Sequence, residues 1–220
     1  MRLEAIRAAI AEAGRELERA GLVQGTSGNL SVRDLASGTV AITPSAVPYP
    51  RIHPADVLLV GPSGVEEGLH RPSSELAMHL AIYRARSDVG AVVHTHSPWA
   101  TTWAVLGREI PAVHYVIAPV GNCVHVAPYA TYGTEELADG AVRALGADNG
   151  VLLAGHGVLT VGTDLGAAVE HAMRVEFLGE VYWKAVQVGE PVILPPHELD
   201  RVRAQTLAKR SLMPASKPTP

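Results

Sequence analysis

The sequence predicts an α/β protein with three layers, in which a central mixed, largely antiparallel sheet lies between helices. Segments with the 3.6-residue period of amphipathic helices alternate with short apolar runs that are typical of buried strands. An early hairpin over residues 29–43 requires antiparallel pairing, which argues against a doubly wound parallel sheet. No linker-like stretch interrupts the chain before its tail. We therefore expect one domain over residues 1–210 and a disordered tail over 211–220.

The first third of the chain is expected to form one helix and three strands. Apolar residues at helical spacing predict a helix over residues 1–20, and Gly21 is suited to end it. Residues 25–28 then turn the chain. Strands are predicted at 29–32, 39–43 and 57–60. The loop 43–50 contains too many prolines to form a regular element.

In the rest of the chain, predicted helices alternate with predicted strands. Ser73 or Ser74 is expected to cap a helix that runs to about residue 86, and Pro98 suits the first turn of a short helix to 106. Further helices are predicted at about 134–145, 165–188 and 196–210. Strands are predicted at 91–94, around Tyr115, and at 124–126, 151–154 and 158–161.

Composition narrows the class of function. A net charge of −4 and a pI near 6.2 give no electrostatic reason to expect nucleic acid or an anionic membrane as a partner, which favours a small-molecule substrate. The single Cys123 cannot form an intrachain disulfide, so a reducing compartment is expected. The first helix carries acidic residues that a signal peptide would avoid, and no apolar run is long enough to span a bilayer. We expect a cytoplasmic protein.

Two histidines separated by one residue follow a predicted buried strand. Because side chains alternate along a strand, the imidazoles of His94 and His96 project from the same face. His156 lies between two glycines, which allow close backbone approach, after another apolar run. Glu75 heads a predicted helix. Three neutral nitrogens and one carboxylate suit a catalytic Zn²⁺ with one replaceable position.

Each of these residues also has a purely structural explanation. A His-x-His pair by itself is more often a pair of core or surface histidines than a metal site. A carboxylate at a helix N-terminus, such as that of Glu75, interacts favourably with the helix dipole. Ser73 and Ser74 fit either helix caps or an anion site. Six other histidines have no comparable context and are expected not to be metal ligands: His53, His70, His79, His125, His171 and His197.

Taken in order, several motifs resemble the class II aldolase/adducin-like family, and within it the metal-dependent L-fuculose-1-phosphate aldolases. The resemblance covers nearly the whole chain and is carried by residues 25–33, 72–75, 92–96, 110–115, 127–134 and 155–157. It implies that His94, His96 and His156 are zinc ligands, with Mn²⁺ or Co²⁺ as possible replacements. It also implies that Glu75 ligates the resting metal and acts as the base, and that Tyr115 donates a proton.

The resemblance further implies how the substrate and the subunits are arranged. The substrate phosphate would be held by Gly28, Asn29, Ser45, Ala46, Ser73 and Ser74. Members of this family are typically fourfold homotetramers with sites at subunit interfaces. Two departures concern the substrate: Ala46 stands where these aldolases usually have glycine, and residues 205–220 lack the tail tyrosine that related aldolases use over the neighbouring site.

The implied reaction is reversible cleavage of a ketose 1-phosphate into dihydroxyacetone phosphate and a short aldehyde such as L-lactaldehyde. Other enzymes of the family use similar metal chemistry: sugar-acid phosphate decarboxylases, pentulose-phosphate 4-epimerases and methylthioribulose-phosphate dehydratases. The family's epimerases generally have aspartate where this chain has Glu75, which favours an aldolase over an epimerase but leaves the decarboxylases open. A non-catalytic, adducin-like interaction domain is a further alternative, and the intact set of candidate ligands argues against it.

Overall fold

A mixed sheet of nine strands forms the centre of the protein in the computed structural model, which describes residues 1–212, with side chains as far as 209. The strands lie in the order β4-β3-β2-β1-β5-β9-β8-β7-β6. The β7–β8 pair is parallel, and the other pairs of neighbours are antiparallel. The strands are β1 (Asn29–Arg33), β2 (Val40–Ile42), β3 (Leu58–Gly61), β4 (Gly64–Glu67), β5 (Ala91–Thr95), β6 (Ile110–Pro111), β7 (Cys123–Ala127), β8 (Gly150–Leu153) and β9 (Gly157–Gly162).

Helices cover both faces of this sheet, so the predicted three-layer α/β arrangement is confirmed. The helices are α1 (Glu4–Arg19), α2 (Leu76–Ala85), α3 (Pro98–Leu106), α4 (Glu135–Leu145), α5 (Leu165–Val188) and α6 (Pro196–Leu212). Two adjacent residues of the central strand β5 show that its side chains alternate between the two faces. Val93 packs in a cluster with α1 and α5, whereas Val92 packs with α2 and α4 on the opposite face. A third cluster joins α3 and the middle of α5 to β8 and β9.

Several sequence-based assignments differ from the structure. The segment at Tyr115 is a short 3-10 helix, Tyr115–Ile117, and not a strand. The preceding strand β6 ends at Pro111, and the His114 side chain then accepts a hydrogen bond from the Val116 N–H, which favours a turn. Strands β4 and β6 were not predicted. Helix α6 continues through Leu212, and the remainder of the predicted tail, 213–220, lies outside the described residues.

The start of α2 also differs from the prediction, because neither Ser73 nor Ser74 is its N-cap. The helix begins at Leu76, with Glu75 at the N-cap position. Residues 72 and 73 remain extended because Pro72 bridges to Pro44 and the Ser73 N–H donates to the Thr43 carbonyl.

Among the described residues, no helix is both long and apolar enough to cross a membrane.

Candidate active site

The three predicted histidine ligands meet at one end of the central strands. His94 lies in β5, opposite Asn29 of β1, and is fully buried; His96 follows the end of β5. His156 lies in the turn between β8 and β9. The three ring centroids are 4.8 to 5.0 Å apart, and the donor nitrogens lie within 4.8 Å of one another.

Close backbone packing explains one glycine beside His156. A Cβ atom on Gly157 would lie 2.5 Å from the Thr95 carbonyl oxygen and 3.2 Å from Cε1 of His94. A side chain at this position would therefore push β9 away from β5. Gly155, on the other side of His156, has a φ of 62°, which glycine adopts without steric cost.

Hydrogen bonding fixes the tautomer of His94 and exposes a lone pair to the centre of the cluster. His94 Nδ1 lies 2.8 Å from the Val158 carbonyl oxygen, which can only accept, so Nδ1 carries the proton. The unprotonated Nε2 then faces His96 Nε2 at 3.0 Å and Glu75 Oε2 at 3.2 Å. Either a proton on His96 Nε2 or a cation must separate the electron pairs of these atoms, and three imidazoles beside one carboxylate form a donor set that fits a metal ion.

Glu75 completes the same cluster. Its side chain is buried, and Oε1 lies 3.3 Å from His156 Nε2 with no hydrogen-bond donor within the described part of the chain. Burial lowers the pKa of His156 and, with the adjacent histidines, lowers the pKa of His96 to about 4. Burial acts to raise the pKa of Glu75, but His94 and a hydrogen bond from Asn29 outweigh it and hold that pKa below its usual value. The site thus presents a carboxylate whose lowered pKa favours the ionised form and, at His96 and His156, imidazoles whose lowered pKa favours the neutral form.

A buried chain of hydrogen bonds holds Glu75 from behind. Asn29 Nδ2 donates to Glu75 Oε2 at 2.8 Å, and Asn29 Oδ1 lies 2.6 Å from His79 Nε2. His79 Nδ1 lies 2.6 Å from Ser31 Oγ, which lies 2.8 Å from the Tyr83 hydroxyl oxygen. Since Asn29 Oδ1 can only accept, His79 donates through Nε2 and accepts from Ser31. Burial lowers the pKa of His79 to about 3, which keeps it neutral.

His79 is thus a core residue that supports the site, although its sequence context indicated only packing or surface. Its position four residues after Glu75 places both side chains on the same face of a helix, and this spacing was the available signal.

A cavity of about 250 Å³ opens above the cluster. Glu75, His96 and His156 line it together with all six residues expected to hold phosphate: Gly28, Asn29, Ser45, Ala46, Ser73 and Ser74. Thr26, Ser27 and Tyr132 also line it and were not predicted. Ala46 has a φ of 60°, so the chain keeps a left-handed backbone there despite the Cβ atom.

Tyr115 does not line this cavity. Its side chain is 56% exposed, stacks on the His114 ring at a centroid distance of 4.6 Å, and belongs to the 3-10 helix that contacts α5. The structure therefore brings together the predicted metal and phosphate residues but places Tyr115 elsewhere on the surface of the same chain.

Comparison with known proteins decides the family. Residues 8–183 match the family described as "Class II Aldolase and Adducin N-terminal domain". The chain belongs to the class II aldolase and adducin family. Within that family the similar proteins are named as aldolases, so the protein is an aldolase, a lyase, and the non-catalytic alternative is set aside. The family is metal-dependent, in agreement with the histidine cluster.

Three relatives illustrate the likeness to other class II aldolases. A 5-deoxy-D-ribulose 1-phosphate aldolase of Bacillus thuringiensis serovar kurstaki is 42% identical over 92% of this chain and 95% of its own. A 5-methylthioribulose-1-phosphate/5-deoxyribulose-1-phosphate aldolase of Rhodospirillum rubrum is 44% identical over 90% of this chain and 89% of its own. A solved L-fuculose 1-phosphate aldolase superposes with a TM-score of 0.90 at 39% identity, covering 92% of this chain and 96% of its own.

Proposed function

We propose that this aldolase reversibly cleaves a ketose 1-phosphate into dihydroxyacetone phosphate and a short aldehyde. The observation that carries the proposal is the joint lining of one cavity by Glu75, by histidines of the donor cluster and by the serines beside the start of α2. A cavity of about 250 Å³ suits a fragment the size of a triose phosphate, and the two ends of the cavity differ in chemistry. One end has a carboxylate and imidazoles, which can ligate a metal ion. The other end has neutral hydroxyl and amide groups, which can donate hydrogen bonds to phosphate.

The residues that would hold the metal ion are Glu75, His94, His96 and His156. We propose Zn²⁺, with Mn²⁺ or Co²⁺ as functional replacements, because three neutral nitrogens and one carboxylate suit such ions. When bound, the ion supplies positive charge that polarises the substrate carbonyl and so acidifies the neighbouring C–H bond.

Glu75 is the proposed base. In the direction of bond formation it takes the proton from the carbon next to the carbonyl of dihydroxyacetone phosphate, and in cleavage it returns that proton to the same carbon. Asn29 orients the carboxylate through Oε2, while Oε1 has no hydrogen-bond donor among the residues that the structure describes and remains free to accept the proton.

The phosphate group is proposed to lie beside Ser45, Ser73 and Ser74. Their hydroxyl groups are neutral donors, and the N-terminal end of α2 adds a partial positive charge that favours an anion. Binding energy from the phosphate would position the reacting carbon near Glu75.

Tyr115 is proposed to donate the proton to the aldehyde oxygen in the site of a neighbouring subunit. It is exposed and lies outside the cavity of its own chain, so it can act on a substrate only if another copy brings it there. This role accords with a homotetramer that has sites at its subunit interfaces, which we propose as the assembled state.

Two ketose phosphates are candidates. L-fuculose 1-phosphate is supported by the solved relative with a TM-score of 0.90. 5-Deoxyribulose 1-phosphate is supported by the two relatives at 42% and 44% identity. Both would break at the same bond and release dihydroxyacetone phosphate, and they differ only in the aldehyde. Measuring kcat/KM for both substrates with the purified protein would decide between them.

The proposal is tested by supplying dihydroxyacetone phosphate and an aldehyde panel with and without a chelator. We expect condensation that disappears with the chelator and returns with Zn²⁺. Dihydroxyacetone without phosphate should react with an efficiency lower by more than roughly tenfold, the equivalent of about 1.4 kcal/mol. Comparable efficiency with both donors would refute the phosphate assignment, and a decarboxylated or epimerised product would refute the aldolase assignment.

A further inference from the structure

A second group of side chains of the types that ligate metals lies at the β6–β7 edge of the sheet. Glu109, Cys123 and His125 each offer one donor atom, and these atoms lie within 4.8 Å of one another. None of the three lines the cavity of the candidate active site. His125 has no metal-site context in the sequence, but the structure groups it with a thiol and a carboxylate.

Strand geometry brings these side chains together. Cys123 and His125 are two residues apart on β7, so they project from the same face, while Val124 between them is fully buried in the core. In the antiparallel register Pro111 pairs with Cys123 and Ile110 pairs with Val124. Glu109, the residue before Ile110, therefore arrives opposite His125.

The contacts within the group are specific. His125 Nδ1 lies 2.7 Å from Glu109 Oε1, and the Cys123 thiol donates to Glu109 Oε2 at a donor–acceptor distance of 3.5 Å. On its far side, His125 Nε2 lies 3.9 Å from Asp148 Oδ2. Cys123 is partly buried, and the side chains of Glu109 and His125 are accessible to an incoming ion.

We propose that Glu109, Cys123 and His125 bind a second Zn²⁺ ion, with water in the fourth position. The ligands would be a carboxylate oxygen, the thiolate sulfur and Nδ1 of His125, a set that suits tetrahedral zinc. The thiolate and imidazole ligands select against Mg²⁺ and Ca²⁺, which prefer oxygen. The Nε2–H of His125 would then point toward Asp148, as a ligating histidine usually directs its other N–H toward a carboxylate.

Charge around the group also favours a cation. Two carboxylates, Glu109 and Asp148, face it. Of the nearby arginines, Arg86 is paired with Asp88, and Arg203 is hydrogen-bonded to Asn122 and paired with Asp200. Burial, together with Glu109, raises the pKa of the Cys123 thiol to about 12 while no cation is bound. Binding Zn²⁺ would release the thiol proton to solvent and form a Zn–S bond in its place.

The consequence of this second site would be structural. Strand β6 has only two residues and forms the edge of the sheet, and the chain runs from it directly to Tyr115. An ion shared by Glu109 and two residues of β7 would fasten this edge and hold the segment that carries Tyr115.

Metal counting on the full-length protein tests the proposal. After loading with Zn²⁺ and removal of free ions, we expect two zinc ions per wild-type chain and one in Cys123→Ser and in His125→Gln. His70→Gln is the matched control, because His70 is also an accessible histidine paired with a carboxylate, at 3.0 Å from Asp56, but has no thiol beside it. It should keep two. Glu109→Gln gives a further variant if Cys123→Ser fails to fold.

Cobalt substitution provides an independent readout. The chain has one cysteine, so a thiolate-to-cobalt charge-transfer band can come only from Cys123. We expect this band in the Co²⁺-loaded wild type and in His94→Ala, and its loss in Cys123→Ser. One ion per wild-type chain, removed by His94→Ala and kept by Cys123→Ser, would overturn the second site and leave the proposed aldolase centre intact. One ion per wild-type chain that is kept by His94→Ala and removed by Cys123→Ser would overturn the proposed aldolase centre alone.

Discussion

Replacing His79 by leucine would break the buried chain of hydrogen bonds that supports Glu75. His79 is fully buried and joins Asn29 Oδ1 to Ser31 Oγ, at 2.6 Å on each side. Leucine is close to imidazole in size but can neither donate nor accept. The variant therefore removes hydrogen bonding from the core while changing its volume little.

The expected loss of stability can be worked out for each partner. Asn29 Oδ1 would lose its donor, and a buried acceptor without a partner costs about 1–3 kcal/mol. Ser31 Oγ keeps the Tyr83 hydroxyl at 2.8 Å, so only a net hydrogen bond of about 0.5–1.5 kcal/mol is lost there. The sum is about 1.5–4.5 kcal/mol, which in a domain of this size corresponds to a fall in Tm of roughly 3–18 °C.

Urea unfolding followed by circular dichroism measures this loss. Met78→Leu, at the buried neighbouring position, is the matched control and should cost less than about 1.5 kcal/mol because the substitution conserves volume. A double-mutant cycle with Asn29→Ala should give a coupling of about 0.5–3 kcal/mol, since the two residues share one hydrogen bond. If the two single losses add within about 0.5 kcal/mol, or if His79→Leu costs no more than Met78→Leu, the argument is refuted.

Three further predictions concern chemistry at the two sites. Glu75→Gln should fold normally yet lower kcat by about 10²- to 10⁴-fold, because an amide is no base; continued exchange of the dihydroxyacetone phosphate C–H proton with deuterium would exclude Glu75 as the base. Tyr115→Phe should slow aldehyde-dependent turnover by about 10²-fold or more while sparing that exchange, and equal losses in both assays would reduce Tyr115 to a geometric role. In the presence of a chelator, Glu109→Gln should accelerate alkylation of Cys123 severalfold at pH 8. Removing the negative charge lowers the thiol pKa and so increases the thiolate fraction, and an unchanged rate would contradict this.

Local sequence rules were sufficient for the parts of the site that depend on one strand or one turn. The two-residue spacing of His94 and His96 fixes a shared strand face whatever the rest of the fold, and the glycines beside His156 indicate close approach. Capping also follows from local chemistry: the Thr134 and Asp164 side chains cap α4 and α5, as side-chain oxygens do at helix N-termini.

Non-local register explains what sequence reasoning missed. Asn29 reaches Glu75 because β1 pairs with β5 and α2 packs against the same face, and none of this is visible in a sequence window. Glu109 meets His125 across 16 residues for the same reason. At Tyr115, strand-like composition was overridden by a local hydrogen bond from the Val116 N–H to the His114 side chain.

The donor cluster is built on strands of the sheet, whereas the substrate-facing residues lie on loops. This difference affects how such an enzyme can change its specificity. His94 sits in the innermost strands, where any displacement disturbs the packing of both faces, whereas Ser45, Ala46 and Tyr132 lie on connections outside the sheet. Loop substitutions are tolerated far better than core substitutions. Directed evolution toward other ketose phosphates should therefore enrich changes at Tyr132, which lines the cavity but is not among the residues proposed to hold the shared phosphate, while metal affinity stays constant.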